Sequence, residues 1–175
     1  MIRALSFLGA GFVLLLLQAM LRQLIPVVSL VPDPALVLVA YLGLTPRQSV
    51  SAGAGVAVVV GYLCDLLCGA PRGLFALVYV LAFLAGRATQ LRLLTRGRVF
   101  EVWFSFLLAF VMGGAVVVGR AVGGGAVRGF AVAALQAATT AILAPVVFSI
   151  GRRIDRWSSR IPEAPDRVTL KVELR

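Results

Sequence analysis

The run from Ser49 to Cys68 is long enough to cross a bilayer and carries a single charge, Asp65, well inside it. A carboxylate in hydrocarbon costs about 2.5–3.5 kcal/mol on insertion scales, so a chain that keeps one there must give it a partner or a task. Asp65 is therefore the first candidate functional residue. Around it, Ser49, Gly53, Ala57, Gly61, Asp65 and Gly69 recur at intervals of four. Helical positions so spaced lie nearly above one another, and Ser49 to Gly61 makes a narrow groove of small side chains. Helices in lipid gain little from burying apolar surface against each other and associate by close backbone approach at such grooves. The pattern predicts a helix at the centre of a bundle, with Gly53, Ala57 and Gly61 as packing residues.

The rest of the chain agrees with a membrane class. Of its 175 residues 61% are hydrophobic, too many for a soluble core of this size, and they fall into runs. The net charge of +10 does not indicate a nucleic-acid partner, because the arginines stand at the ends of the apolar runs rather than on one polar face. Cys64 and Cys68 sit four apart on the Asp65 helix, where a bridge would strain the backbone and no second ligand pair completes a zinc site. They read as small buried hydrophobes. There is no histidine, no serine beside a base, no pair of membrane carboxylates and no phosphate loop, so no enzyme, metal or cofactor site is expected.

In chain order the runs predict an all-α polytopic bundle of six transmembrane helices in a domain over 1–157, followed by a cytoplasmic tail over 158–175. Helix 1 runs from Met1 to Leu21, and Asp33 then caps a turn into Pro34 at a first helical position. The run from Pro34 to Leu44 is too short to cross about 30 Å of hydrocarbon unaided. Gly69 to Gly73 makes a tight turn that joins helix 3 to helix 4 as an antiparallel hairpin, helix 4 running from Leu74 to about Gly86 or on through Arg87 to Leu94 with its arginines reaching the interface. Val99–Val118 and Phe130–Ile150 complete the set, separated by a glycine-rich turn over 119–129. In the tail, Val168, Leu170, Val172 and Leu174 alternate with polar residues, which fits either a basic terminus held near anionic lipid or a strand that adds to a partner's sheet edge.

Arg22, Arg72, Arg120 and Arg128 lie on one side of such a bundle and every other lysine and arginine on the other, so the positive-inside rule makes both termini cytoplasmic. Asp65 then lies toward the outer leaflet. Two readings of it stand: a carboxylate bonded within the bundle through Tyr62, Tyr79, Gln136 or Thr139, or a group that meets a partner. A lone carboxylate is a weak signal for a proton relay.

Pro34, Leu36, Leu38 and Ala40, then Pro46, then the small-residue helix ending in Gly61 and Asp65, then Gly73 and Ala76, resemble the rod shape-determining protein MreD family. The resemblance covers nearly the whole chain. It implies a non-enzymatic component of the bacterial cell-elongation complex in the inner membrane, binding the bitopic protein MreC. Together with MreB, RodA and a penicillin-binding protein it would support lateral peptidoglycan synthesis and cell shape. It also implies a fold like the substrate-binding subunit of energy-coupling-factor transporters, and with it an alternative function as a small-molecule (vitamin) binding subunit. The outer halves of the helices offer few polar groups for such a pocket apart from Asp65.

Overall fold

The computed structural model describes residues 2–24, 31–45, 49–68, 73–92, 97–122 and 130–158. They form six α-helices: α1 (Ile2–Leu24), α2 (Pro34–Leu44), α3 (Val50–Cys68), α4 (Leu74–Arg92), α5 (Arg98–Val122) and α6 (Phe130–Ser158). Four of these, α1, α3, α5 and α6, are long and apolar enough to cross a membrane, while α2 and the apolar part of α4, Leu74–Gln90, are shorter. Four helices run past their nearer expected ends, α1 to Leu24 and α4, beyond Gly86, to Arg92 among them. α5 continues past Val118 to Val122, and α6 continues past Ile150 through Arg152, Arg153, Arg156 and Trp157. The predicted tail beyond Ser158 lies outside the described residues.

The centre of the bundle is α2, not α3. Every residue from Pro34 to Gly43 is buried, and α2 touches each of the other five helices. A helix that is apolar all the way round must be enclosed, and α2, at about 16 Å, is too short to present both ends to water across a bilayer. α3 sits at the periphery, with Val58, Val59, Tyr62 and Leu66 exposed. Its small-residue groove faces inward onto α4. A Cβ added at Gly61 would lie 2.6 Å from the Cα of Ala76, one added at Gly53 would meet the Phe83 ring at 2.5 Å, and Ala57 is fully buried.

α4 is thus nested between α3 and α2, and its second face is a crossing of glycines. A Cβ on Gly86 would stand 3.0 Å from the carbonyl oxygen of Ala40 and 3.2 Å from the Cα of Gly43, and one on Gly43 would collide with the carbonyl of Phe83. Backbones approach this closely only where both helices lack side chains, which is how helices in lipid gain contact.

Polar contacts fix the directions. Arg3 at the start of α1 pairs with Asp155 near the end of α6 at 2.7 Å, and Glu101 at the start of α5 pairs with Arg152 of α6. α6 therefore runs antiparallel to α1 and α5, and the first and last described helices bring their outer ends to one side of the bundle. Leu5, Val13, Met20, Leu77, Val111 and Ile142 are exposed around the outside, the surface a bilayer would solvate.

Gly86→Val places a branched side chain at the α2–α4 crossing, and overpacking of this kind costs about 1–3 kcal/mol. The variant is expected to unfold at a lower temperature than the parent in detergent, whereas Gly55→Val, at a position with nothing within 4 Å, should match the parent. Equal midpoints for Gly86→Val and the parent would show that the crossing opens freely.

Candidate functional site

The polar side chains gather at the two ends of α2. At the end that holds the α3–α4 turn, Asp65 projects from the last turn of α3, 3% exposed, and caps α4. Its Oδ1 accepts the N–H of Phe75 at 2.8 Å, and its Oδ2 accepts those of Gly73 at 3.0 Å and Ala76 at 3.3 Å. The first amides of a helix have no partner within it, and their dipoles favour a negative charge, so the α4 N-terminus is a natural seat for a buried carboxylate. Gly73 supplies the turn, with a φ of 89° that side chains rarely tolerate. The partners of Asp65 are therefore backbone amides. Tyr62 is exposed, Tyr79 serves another carboxylate, and the hydroxyl of Thr139 donates to the carbonyl of Gln136 on its own helix.

That other carboxylate is Asp33, the cap of α2. Its Oδ1 accepts the N–H of Leu36 at 3.1 Å and the hydroxyl of the fully buried Tyr79 at 2.9 Å. Its own N–H donates to Oγ1 of Thr140 at 3.1 Å, and the Thr140 hydroxyl donates onward to the carbonyl of Gln136 at 2.7 Å. Pro34 follows as the first helical residue, where its missing N–H costs nothing. One residue thus joins α2 to α4 through its carboxylate and to α6 through its backbone amide. Two acids, Asp33 and Asp65, cap two helices at the same end of the bundle.

The other end of α2 is held by Asp155. The hydroxyl of Tyr41 donates to its Oδ2 at 2.6 Å, and Nε of Arg3 donates to its Oδ1 at 2.8 Å. The Tyr41 ring lies against Phe7 and Phe148, and Gly151 leaves it room, since a Cβ there would stand 2.5 Å from the ring. Nearby, Arg87 donates to the carbonyl of Thr45, which follows the last turn of α2, at 3.2 Å.

Beside the Asp33 cap lies a cavity of about 340 Å³. Arg22 of α1, Asp33, and Gln136 and Thr140 of α6 give it a polar side, and Phe75 and Val78 of α4 with Met112 and Val116 of α5 give it an apolar wall. The end of the bundle where α2 and α4 begin is therefore richer in convergent polar groups than the sequence suggests. Among the described residues no group of three His, Cys, Asp or Glu could hold a metal ion. The buried carboxylates are engaged by amides, hydroxyls and a guanidinium, an arrangement suited to holding helices rather than to moving protons.

Of the sequence candidates Asp65, Gly61, Ala57, Gly53, Pro34 and Gly73, the structure brings all but Pro34 to the α3–α4 hairpin. Tyr79, offered by the sequence as a partner of Asp65, bonds Asp33 instead, and Thr140, Tyr41 and Asp155 are network members that the sequence does not single out. Asp155 had a signal: it shares a helical face with Ala144, Val147, Phe148 and Gly151, all buried. Tyr79 and Thr140 meet Asp33 only through the fold.

A family model described as rod shape-determining protein MreD matches residues 2–153 of this chain. The chain belongs to that family. Searches of curated proteins and of solved structures return no match, so the likeness to energy-coupling-factor subunits implied by the resemblance gains no structural support.

Asp65→Leu leaves three amides of α4 without their acceptor in a buried setting, and each such loss costs about 1–3 kcal/mol. The variant is expected to unfold well below the parent in detergent, and Asp65→Asn, which keeps one acceptor oxygen, should fall between the two. If the leucine variant melted with the parent, the cap would not be what holds Asp65 in place.

Proposed function

We propose that this member of the MreD family is a non-enzymatic component of the bacterial elongation machinery, set in the inner membrane with both termini in the cytoplasm. Family membership gives the role in rod shape determination, and the match over 2–153, which takes in almost the whole helical bundle, is the observation that carries the reading. Orientation draws on charge. Arg3, Arg87, Arg152, Arg153 and Arg156 belong to the end of the bundle where α1 begins and α6 finishes, while Arg22 belongs to the other, and positive residues favour the cytoplasmic side. Asp65 then faces the outer leaflet.

The partner we assign is MreC, with MreB, RodA and a penicillin-binding protein as further members of the assembly, so that the bundle supports lateral peptidoglycan synthesis as a scaffold. A scaffold needs a fixed frame. Gly53, Ala57, Gly61, Gly73 and Asp65 lock the α3–α4 hairpin, and Pro34 with Asp33 starts the helix that all others surround. A second reading, a small-molecule binding subunit of a transporter, draws on one observation, the cavity at the Asp33 cap.

Two measurements test these assignments. Reporter fusions after Arg98 and after Arg175 are expected to report cytoplasm, and a periplasmic signal from either would overturn the orientation. Purification of the full chain from rod-shaped cells in mild detergent is expected to carry MreC with it. Recovery of a transport ATPase in place of elongation proteins would favour the second reading.

A further inference from the structure

The caps on α2 and α4 account for Asp33 and Asp65, and they leave unexplained why a space of about 340 Å³ persists beside them. The space is a partly open recess rather than a sealed void, so a ligand can enter it and cover its walls. Its volume lies within the range of about 300–1,000 Å³ typical of sites for small ligands.

We propose that this cavity holds the headgroup and upper chain of one zwitterionic phospholipid, its phosphate toward Arg22 and its ammonium toward Asp33. The charges on the lining argue for this class. Arg22 and Asp33 both border the cavity and already attract each other across it, so the lining carries no large net charge there and suits a neutral head that offers both signs better than a ligand of a single charge. Gln136 adds an amide on the same side, half-buried and without a side-chain hydrogen bond among the described residues. Opposite the polar groups, Phe75, Val78, Met112 and Val116 form an apolar wall suited to hydrocarbon, and methionine adapts its shape to a flexible chain.

Position and access agree with a lipid. Arg22 lies in the last turn of α1, at the depth where long basic side chains reach the headgroups. α5 packs broadly on α6 and only lightly on α4, and the cavity is bordered by α4 and α5. In this proposal the thin seam between them is the way in for the lipid chain. This inference requires only that the bundle sits in a membrane and does not depend on the identity of its protein partners.

The test uses the full chain, reconstituted in nanodiscs of equal phosphatidylethanolamine and phosphatidylglycerol, then released and weighed intact by mass spectrometry. One phosphatidylethanolamine per chain is expected to survive release, favoured over phosphatidylglycerol by about tenfold, as one charge-assisted contact would give. Arg22→Gln should lower the retained lipid by a similar factor. Val116→Phe, which fills the wall, should abolish retention while its melting point stays at or above the parent's, and Ala109→Leu serves the same end if Val116→Phe fails to fold. Retention of neither lipid, or equal retention of both lipids by the parent and by Arg22→Gln, would overturn the proposal. So would protection from heat by soluble glycerophosphoethanolamine without retained lipid, which would make the ligand a free small molecule. Loss of co-purified protein in Val116→Phe with lipid retention unchanged would make the cavity a receptor for a partner's side chain, and would overturn it as well.

Discussion

A short helix enclosed on every side cannot lean on solvent or lipid to satisfy its ends, and the rest of this bundle is arranged around meeting that need. α2 begins at Asp33, whose carboxylate takes one amide of its own helix and the hydroxyl of Tyr79, and ends near Tyr41, whose hydroxyl reaches Asp155. Each polar group buried without a partner would cost about 1–3 kcal/mol, so the two ends together set where α4 and α6 must lie. The glycine crossing at Gly43 and Gly86 then follows, because α4 can deliver Tyr79 to Asp33 only by running close along α2.

The same rule explains the cost of a carboxylate in an apolar run. Asp65 is tolerable in the membrane because three amides at the start of α4 offer it fixed positive dipoles. Those amides would otherwise be orphans in a medium without water. Carboxylate and helix end solve each other's problem, and the α3–α4 hairpin is the result.

Much of this was legible in the sequence. Membrane class, helix number, the Gly73 turn, the inward groove of Gly53, Ala57 and Gly61, and the Asp33 cap all follow from local patterns with a physical cause. The identity of the central helix did not. Length made α2 look marginal, whereas its lack of any polar face was the truer signal of enclosure. The partners of Asp33 and Asp155 were beyond reach for a different reason. Thr140 is 107 residues from Asp33, and Tyr41 is 114 from Asp155, and no periodicity within one helix encodes a contact of that range. The cavity was hidden likewise, since it exists only where all six helices converge.

Those sequence separations have a meaning in time. A ribosome adds about 5–20 residues per second, so Asp33 leaves it on the order of 5–20 s before Thr140, 107 residues later, can accept its amide hydrogen. Arg3 waits longer still for Asp155, 152 residues downstream. During synthesis the nascent α2 has its neighbours α1, α3 and α4 but lacks the helix that closes both of its ends. The last of the six described helices to emerge is thus the keystone, and a chain interrupted before α6 leaves the insertion machinery holding a core helix that is still open.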